Sequence, residues 1–154
     1  MIKPYNRTGC EIILKDDLVY KTDPIRLDSQ WRSQMEQIIN IWDLPAFRGF
    51  IDNGYVTKYI RGTDLHGTPV FMLDGSCPPC IINEREKLDL IDIFANAINT
   101  GKRLGFTLGD ITIGNILTDG AGFYLIDYDS IVSYPLADNV FGVWNHTLQT
   151  IFGK

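Results

Sequence analysis

Cysteine is scarce, with only three in 154 residues, so no disulfide framework can stand in for a hydrophobic core. No apolar run approaches the roughly 20 residues that span a bilayer. The opening Met-Ile-Lys-Pro-Tyr-Asn-Arg lacks the apolar centre of a signal peptide. Cytoplasmic residence is the default expectation, with export by a non-classical route left open. No Lys/Arg block stands out against a net charge of −5, which argues against a nucleic-acid surface. Internal repeats, low-complexity segments and a clear linker are all missing. So is the phosphate-binding pattern G-x-x-x-x-G-K-[S/T]. What remains is the composition of an ordinary globular protein, 45% apolar and 21% charged, long enough to bury one sizeable core. Residues 1–154 are read as a single domain.

Several elements announce themselves locally. Residues 11–22 hold two β-prone runs around Asp16-Asp17 and predict a hairpin. Lys21 lies near the end of its second strand, where a solvated lysine is the usual case. A helix is expected from Asp28 or Ser29, either of which can cap it. Trp31, Met35, Ile38 and Trp42 recur at helical spacing along its apolar face. Glu36 lies beside that stripe, and Pro45 ends the helix or follows closely after it. Residues 55–60 read as a strand, 61–67 as a loop and 68–73 as a short strand.

Cys77-Pro-Pro-Cys80 has two readings. One is a redox pair, or half a zinc site with Cys10 and His66; the other is two reduced thiols in a stiff loop. Zinc needs four ligands, and only Cys77 and Cys80 have the local spacing, which favours the second. From Asn83 a long helix is expected, with Glu86 closing a capping box. Leu88, Ile91, Ala95 and Ile98 are its expected buried stripe, and Gly101 its C-terminal cap. After an irregular stretch at 130–135, a last helix should start at Asp138 or Asn139 and bury Val140, Trp144, Leu148 and Ile151.

The chemistry concentrates in residues 108–129. Asp110 is followed five positions later by Asn115, then by an apolar run, a Gly-rich turn and a second apolar run ending at Asp127, with Asp129 two residues on. Two short strands joined by a tight turn would bring Asn115 and Asp127 together. An amide oxygen and a carboxylate held close suit Mg²⁺, which shares such ligands with substrate phosphates.

This stretch resembles the catalytic loop and metal-binding segment of the protein-kinase-like superfamily, whose pattern is H-R-D-x-x-x-x-N followed by D-F-G. The order of the other parts is similar too: Lys21 on a strand, Glu36 on a helix fifteen residues later, and a strand running into Gly62-Thr-Asp-Leu65 like a hinge. The likeness covers most of residues 9–130 and is nearest to the bacterial and small-molecule branch related to aminoglycoside and choline kinases. It implies an α+β, two-lobed minimal kinase-like fold. Residues 1–61 would form an N-lobe and hinge, with a small antiparallel sheet and one helix. Residues 62–154 would form a reduced helical C-lobe carrying the catalytic β-hairpin.

The resemblance also assigns roles. Lys21 looks like the lysine that holds the α- and β-phosphates of ATP, and Glu36 like its ion-pair partner. Asn115 and Asp127 look like Mg²⁺ ligands; Asp129 either joins them or is merely exposed. Asp110 looks like the carboxylate that meets the acceptor hydroxyl. Lys58, Tyr59 and Ile60 look like the hinge whose backbone meets adenine, and Gly9 is what remains of a glycine-rich phosphate loop. Three departures stand out. Leu108 and Gly109 occupy the His and Arg positions, Tyr128 and Asp129 replace the Phe and Gly of D-F-G, and the later helices on which protein kinases dock peptides have no counterpart. The implied activity is a Mg-ATP phosphotransferase acting on a small molecule, a sugar or a specific protein partner. A homodimer is one way to replace the missing platform. A pseudokinase that binds nucleotide or protein without catalysis is the alternative, and an unrelated α+β domain is a third reading.

Overall fold

The computed structural model describes residues 10–60, 63–64, 84–119 and 122–152. Gly9, His66, Cys77, Cys80, the 68–73 strand and the Asn83 cap lie outside them. The fold is α+β, and the chain divides into two compact units, Met1–Tyr59 and Ile60–Lys154. Among the described residues no helix is long and apolar enough to cross a membrane.

In the first unit, β1 (Glu11–Lys15) and β2 (Leu18–Thr22) form the expected hairpin. Asp16 and Asp17 both take positive φ, 54° and 61°, which gives the two-residue turn a twist matching the strands it joins. Then α1 (Ser29–Ile39) starts where Asp28 Oδ1 accepts the Trp31 amide at 2.9 Å, satisfying a donor that the helix itself cannot. Two further strands, β3 (Phe47–Ile51) and β4 (Gly54–Lys58), complete an antiparallel sheet of order β1-β2-β4-β3. The sequence reading did not anticipate β3. Its alternation is broken by Arg48-Gly49, where the register shifts against β4 and Gly49 takes φ 148°.

Trp31, Met35 and Ile38 are buried as expected, and Trp42 is buried beyond the helix end. Trp31 stacks on Tyr55 with ring centroids 5.5 Å apart and meets Phe50 edge-on at 5.8 Å. Such aromatic contacts stabilise beyond the apolar area they remove from water, by about 0.5–1.5 kcal/mol each.

The second unit is built around α2 (Glu84–Leu104). The expected buried stripe is corrected here. The buried positions are Leu90, Phe94, Ala97 and Thr100, whereas Leu88, Ile91 and Ile98 are exposed. The helix carries two apolar arcs, and periodicity alone does not say which one meets the rest of the fold. Gly101 is not the cap either. The helix runs on to Leu104, and Gly105, at φ 82°, takes the terminal role. A Cβ on Gly101 would run into the Tyr134 ring, so this glycine is required for close packing instead.

After α2, β6 (Phe106–Leu108) pairs antiparallel with β9 (Ile131–Ser133). Strand β5 (Thr63–Asp64), ahead of α2, joins β7 (Ile116–Thr118) and β8 (Phe123–Leu125) in a small antiparallel sheet of order β5-β7-β8. The last helix, α3 (Asp138–Phe152), buries Trp144 and Thr147. Val140 and Leu148 are only half-buried.

Candidate functional site

In the second unit, the loop from β6 to β7 and the exit from β8 converge. A short 3₁₀ turn, Ile113–Asn115, leads into β7. The Ile116↔Leu125 pairing sets Asn115 opposite the end of β8, and the Ile126 amide donates to the Asn115 carbonyl at 2.9 Å. The Asn115 side chain points the other way round the loop: its Nδ2 donates to the Asp110 carbonyl at 3.1 Å. Two hydrogen bonds on one residue thus tie the Asp110 loop to the segment that leaves β8 toward Asp127. With its nitrogen committed, the amide keeps Oδ1 as an acceptor.

Asp127 sits at φ 66°. The left-handed region is unfavourable for a residue with a Cβ, although Asp tolerates it better than most. Conformations of this kind persist where the surroundings over-determine them, often at functional sites. Next to it, Tyr128 is fully buried and its hydroxyl donates to the Leu125 carbonyl at 2.6 Å. The ring anchors the loop while Asp127 and Asp129, on either side, stay half-buried. Tyrosine fits this apolar position because its one polar group finds a partner. The Asp129 amide lies 3.5 Å from Asp127 Oδ1.

The two departures ahead of Asp110 have packing causes. Leu108 is buried in β6. Gly109 donates its amide to the Ser130 carbonyl at 2.9 Å, and a Cβ on it would come within 2.5 Å of Val132 Cγ1. Strand β9 occupies the space that a side chain at residue 109 would need. Two residues that the sequence reading missed brace the loop from α3. Trp144 Nε1 donates to the Gly109 carbonyl at 2.8 Å. The Thr147 hydroxyl lies 3.2 Å from the Ile111 carbonyl and 2.9 Å from that of Val143. Beside the loop, a cavity of about 530 Å³ is lined by Thr112 and Gly114 together with Asn139, Val143 and His146 of α3.

In the first unit, Lys21 shares a face of β2 with Val19 and is only 8% exposed. It is not a solvated strand-end lysine. It pairs across the sheet with Tyr55, and Gly54 packs so close that a Cβ there would collide with the Lys21 carbonyl. Glu36 is placed differently from its expectation. Its side chain is 55% exposed, and its carboxylate pairs with Arg32 Nε at 3.2 Å, one turn back on α1. The cause is helix rotation: Trp31, Met35 and Ile38 are buried, Trp31 against Phe50 and Tyr55 of the sheet, which turns Glu36 outward. In the hinge segment the Lys58 amide donates to Ala46 and the Tyr59 amide to Asp17, so both are already used within the protein. Tyr59 and Ile60 are buried.

Among the described residues, no three His, Cys, Asp or Glu side chains stand close enough to hold a metal by themselves. An amide oxygen and a carboxylate, the donor types of Asn115 and Asp127, are of the kind Mg²⁺ takes, its shell being commonly completed by phosphate oxygens and water.

No protein-family model matches the chain, and no curated protein matches it. Among solved structures it is similar to a choline/ethanolamine kinase family protein from Mesorhizobium loti, at 11% identity and a TM-score of 0.36. The match covers 85% of this chain and 58% of that one. At this TM-score the likeness does not establish a shared fold.

Proposed function

We propose that this protein is a Mg-ATP-dependent phosphotransferase that passes the γ-phosphoryl group of ATP to a hydroxyl of a small molecule, a sugar or a specific protein partner. The observation that carries the reading is the pair of hydrogen bonds on Asn115, which ties Asp110 to the strand that delivers Asp127. Phosphoryl transfer asks a protein mainly for positioning and for neutralising charge on the phosphate oxygens. Asn115 Oδ1 and Asp127 would hold the magnesium, with Asp129 close by. The metal would screen the negative charge of the phosphates. Asp110 would accept the proton of the attacking hydroxyl, or hold that hydroxyl in line. The bond formed is from the acceptor oxygen to γ-phosphorus, and the bond broken is from γ-phosphorus to the bridging oxygen of ADP. Lys21 would hold the α- and β-phosphates. Glu36 enters only by exchanging Arg32 for Lys21, and the reading does not depend on it. The cavity beside Thr112 and Gly114 offers an acceptor the hydroxyl, amide and imidazole of Thr112, Asn139 and His146.

The reading without catalysis drew on Leu108, Gly109 and the reduced glycine loop. Packing accounts for the first two, and Gly9 lies outside the described residues. The deciding experiment incubates the protein with γ-labelled ATP and magnesium, alone and with sugars, amino alcohols and candidate protein acceptors. Wild type should transfer or release label at least tenfold faster than Asp110→Asn and Asp127→Asn. Equal rates for the three proteins would defeat the enzyme reading. If Mg-ATP also failed to raise the melting temperature, nucleotide binding would fall with it.

A further inference from the structure

The uncovered arc of α2 carries a pattern of its own. Leu88, Ile91, Ala95 and Ile98 follow the 3-4-3 spacing of a coiled-coil seam. They lie roughly 130° around the helix from the buried arc at 3.6 residues per turn. Leu88 is 62% exposed, Ile91 42% and Ile98 36%. By helical register the same line is continued four residues earlier by Glu84 and four residues later by Lys102, both within α2. The six positions mirror one another about Ile93. Glu84 and Lys102 are equidistant from it, as are Leu88 and Ile98, and Ile91 and Ala95.

We propose that a second copy of this chain covers the stripe, with α2 packed antiparallel on α2 about a two-fold axis that passes midway between Ile91 and Ala95. In such an interface residue i meets j and j meets i. Each layer then joins unlike partners that fit. Leu88 meets the partner's Ile98 and Ile91 meets the partner's Ala95, while the register sets position 84 level with position 102 of the partner subunit. The large-small pairing of Ile91 with Ala95 lets the helices approach at the centre, and the charges close both ends. A parallel pairing would set Glu84 on Glu84 and Lys102 on Lys102, so charge selects the antiparallel form. Antiparallel alignment also brings each helix's positive end to the other's negative end. A single helix pair of this length falls at the small end of specific interfaces, which implies association in about the micromolar range.

Sedimentation equilibrium on the full chain tests this independently of any catalytic role. Wild type should dimerise with a dissociation constant of about 1–100 μM. Glu84→Lys and Lys102→Glu each place like charges at both ends of the interface and should weaken dimerisation about tenfold. The doubly substituted chain should recover it. Mixing the two single variants should give a heterodimer, since each supplies the charge the other lacks. Ile91→Glu should dissociate the dimer while melting like wild type at dilution, because Ile91 is exposed in the single chain. A wild type that stays monomeric to about 1 mM would overturn the proposal. So would a dimer indifferent to Ile91→Glu, or charge variants that are not rescued by each other. Binding of a different protein at this face by monomeric wild type would also count against it.

Discussion

The indole Nε1 of Trp144 donates a buried 2.8 Å hydrogen bond to the carbonyl of Gly109, the residue before Asp110. Thr147 reaches the Ile111 carbonyl, on the other side of Asp110, at 3.2 Å. Helix α3 therefore grips the backbone on both flanks of the proposed catalytic carboxylate. The ring of Trp144 also meets Phe94 of α2 edge-on at 5.8 Å, so this side chain links the loop to α2 as well as to α3.

Trp144→Phe keeps an aromatic ring against Phe94 but removes the donor and leaves the Gly109 carbonyl buried without its partner. A buried polar group left unsatisfied costs about 1–3 kcal/mol, so the melting temperature should fall. ATP turnover, corrected for the folded fraction, should fall as well, because Asp110 loses its fixed position. Thermal denaturation and turnover measured on the same sample check both. Turnover equal to wild type in a destabilised protein would show that the brace serves folding alone.

Gly109 has no room for a side chain. Gly109→Ala sets a methyl group 2.5 Å from Val132 Cγ1, and overpacking of this kind costs about 1–3 kcal/mol. Pairing it with Val132→Ala removes the clashing methyls. The double variant should be more stable than the sum of the single losses, by about 1 kcal/mol or more of coupling. Chemical denaturation of the four proteins in this cycle measures that coupling directly. Additive losses would mean that Val132 is not what excludes a side chain here.

The sequence exposes local devices better than side-chain orientation. The hairpin at Asp16-Asp17 is legible because two turn-forming residues separate two β-prone runs. Helix α1 is legible from its cap and spacing, and the 108–129 hairpin from its two apolar runs around glycines. Strand β3 was hidden by the bulge at Gly49, where alternation fails. The buried face of α2 was hidden because Leu88, Ile91, Ala95 and Ile98 are as periodic as Leu90, Phe94 and Ala97. Glu36 shows the same limit in the site. The order of parts puts it on α1, but the rotation of that helix, with Trp31 and Met35 buried, turns it outward, where Arg32 one turn back is its partner. The hydrogen bonds from Trp144 and Thr147 span about 35 residues of chain, and no local pattern signals such a pairing.

Asp127 offers a separation of stability from function, because its backbone conformation and its carboxylate are different requirements. At φ 66° a Cβ-bearing residue is strained by about 1–2 kcal/mol, least for Asp and Asn, whose short polar side chains bond locally. Glycine adopts this region without penalty. Asp127→Ala should therefore be less stable than wild type by about 1 kcal/mol, and Asp127→Gly and Asp127→Asn should both be more stable than the Ala variant. Binding should follow a different order. All three variants lose the anionic ligand, so all three should lose most of the rise in melting temperature that Mg-ATP gives wild type. Melting curves with and without Mg-ATP read both orders in one experiment. An Asp127→Gly variant that is stable but blind to Mg-ATP would locate the carboxylate's role in the ligand. The same variant shifting like wild type would remove Asp127 from the metal site, and with it the reason for the residue to hold this backbone conformation.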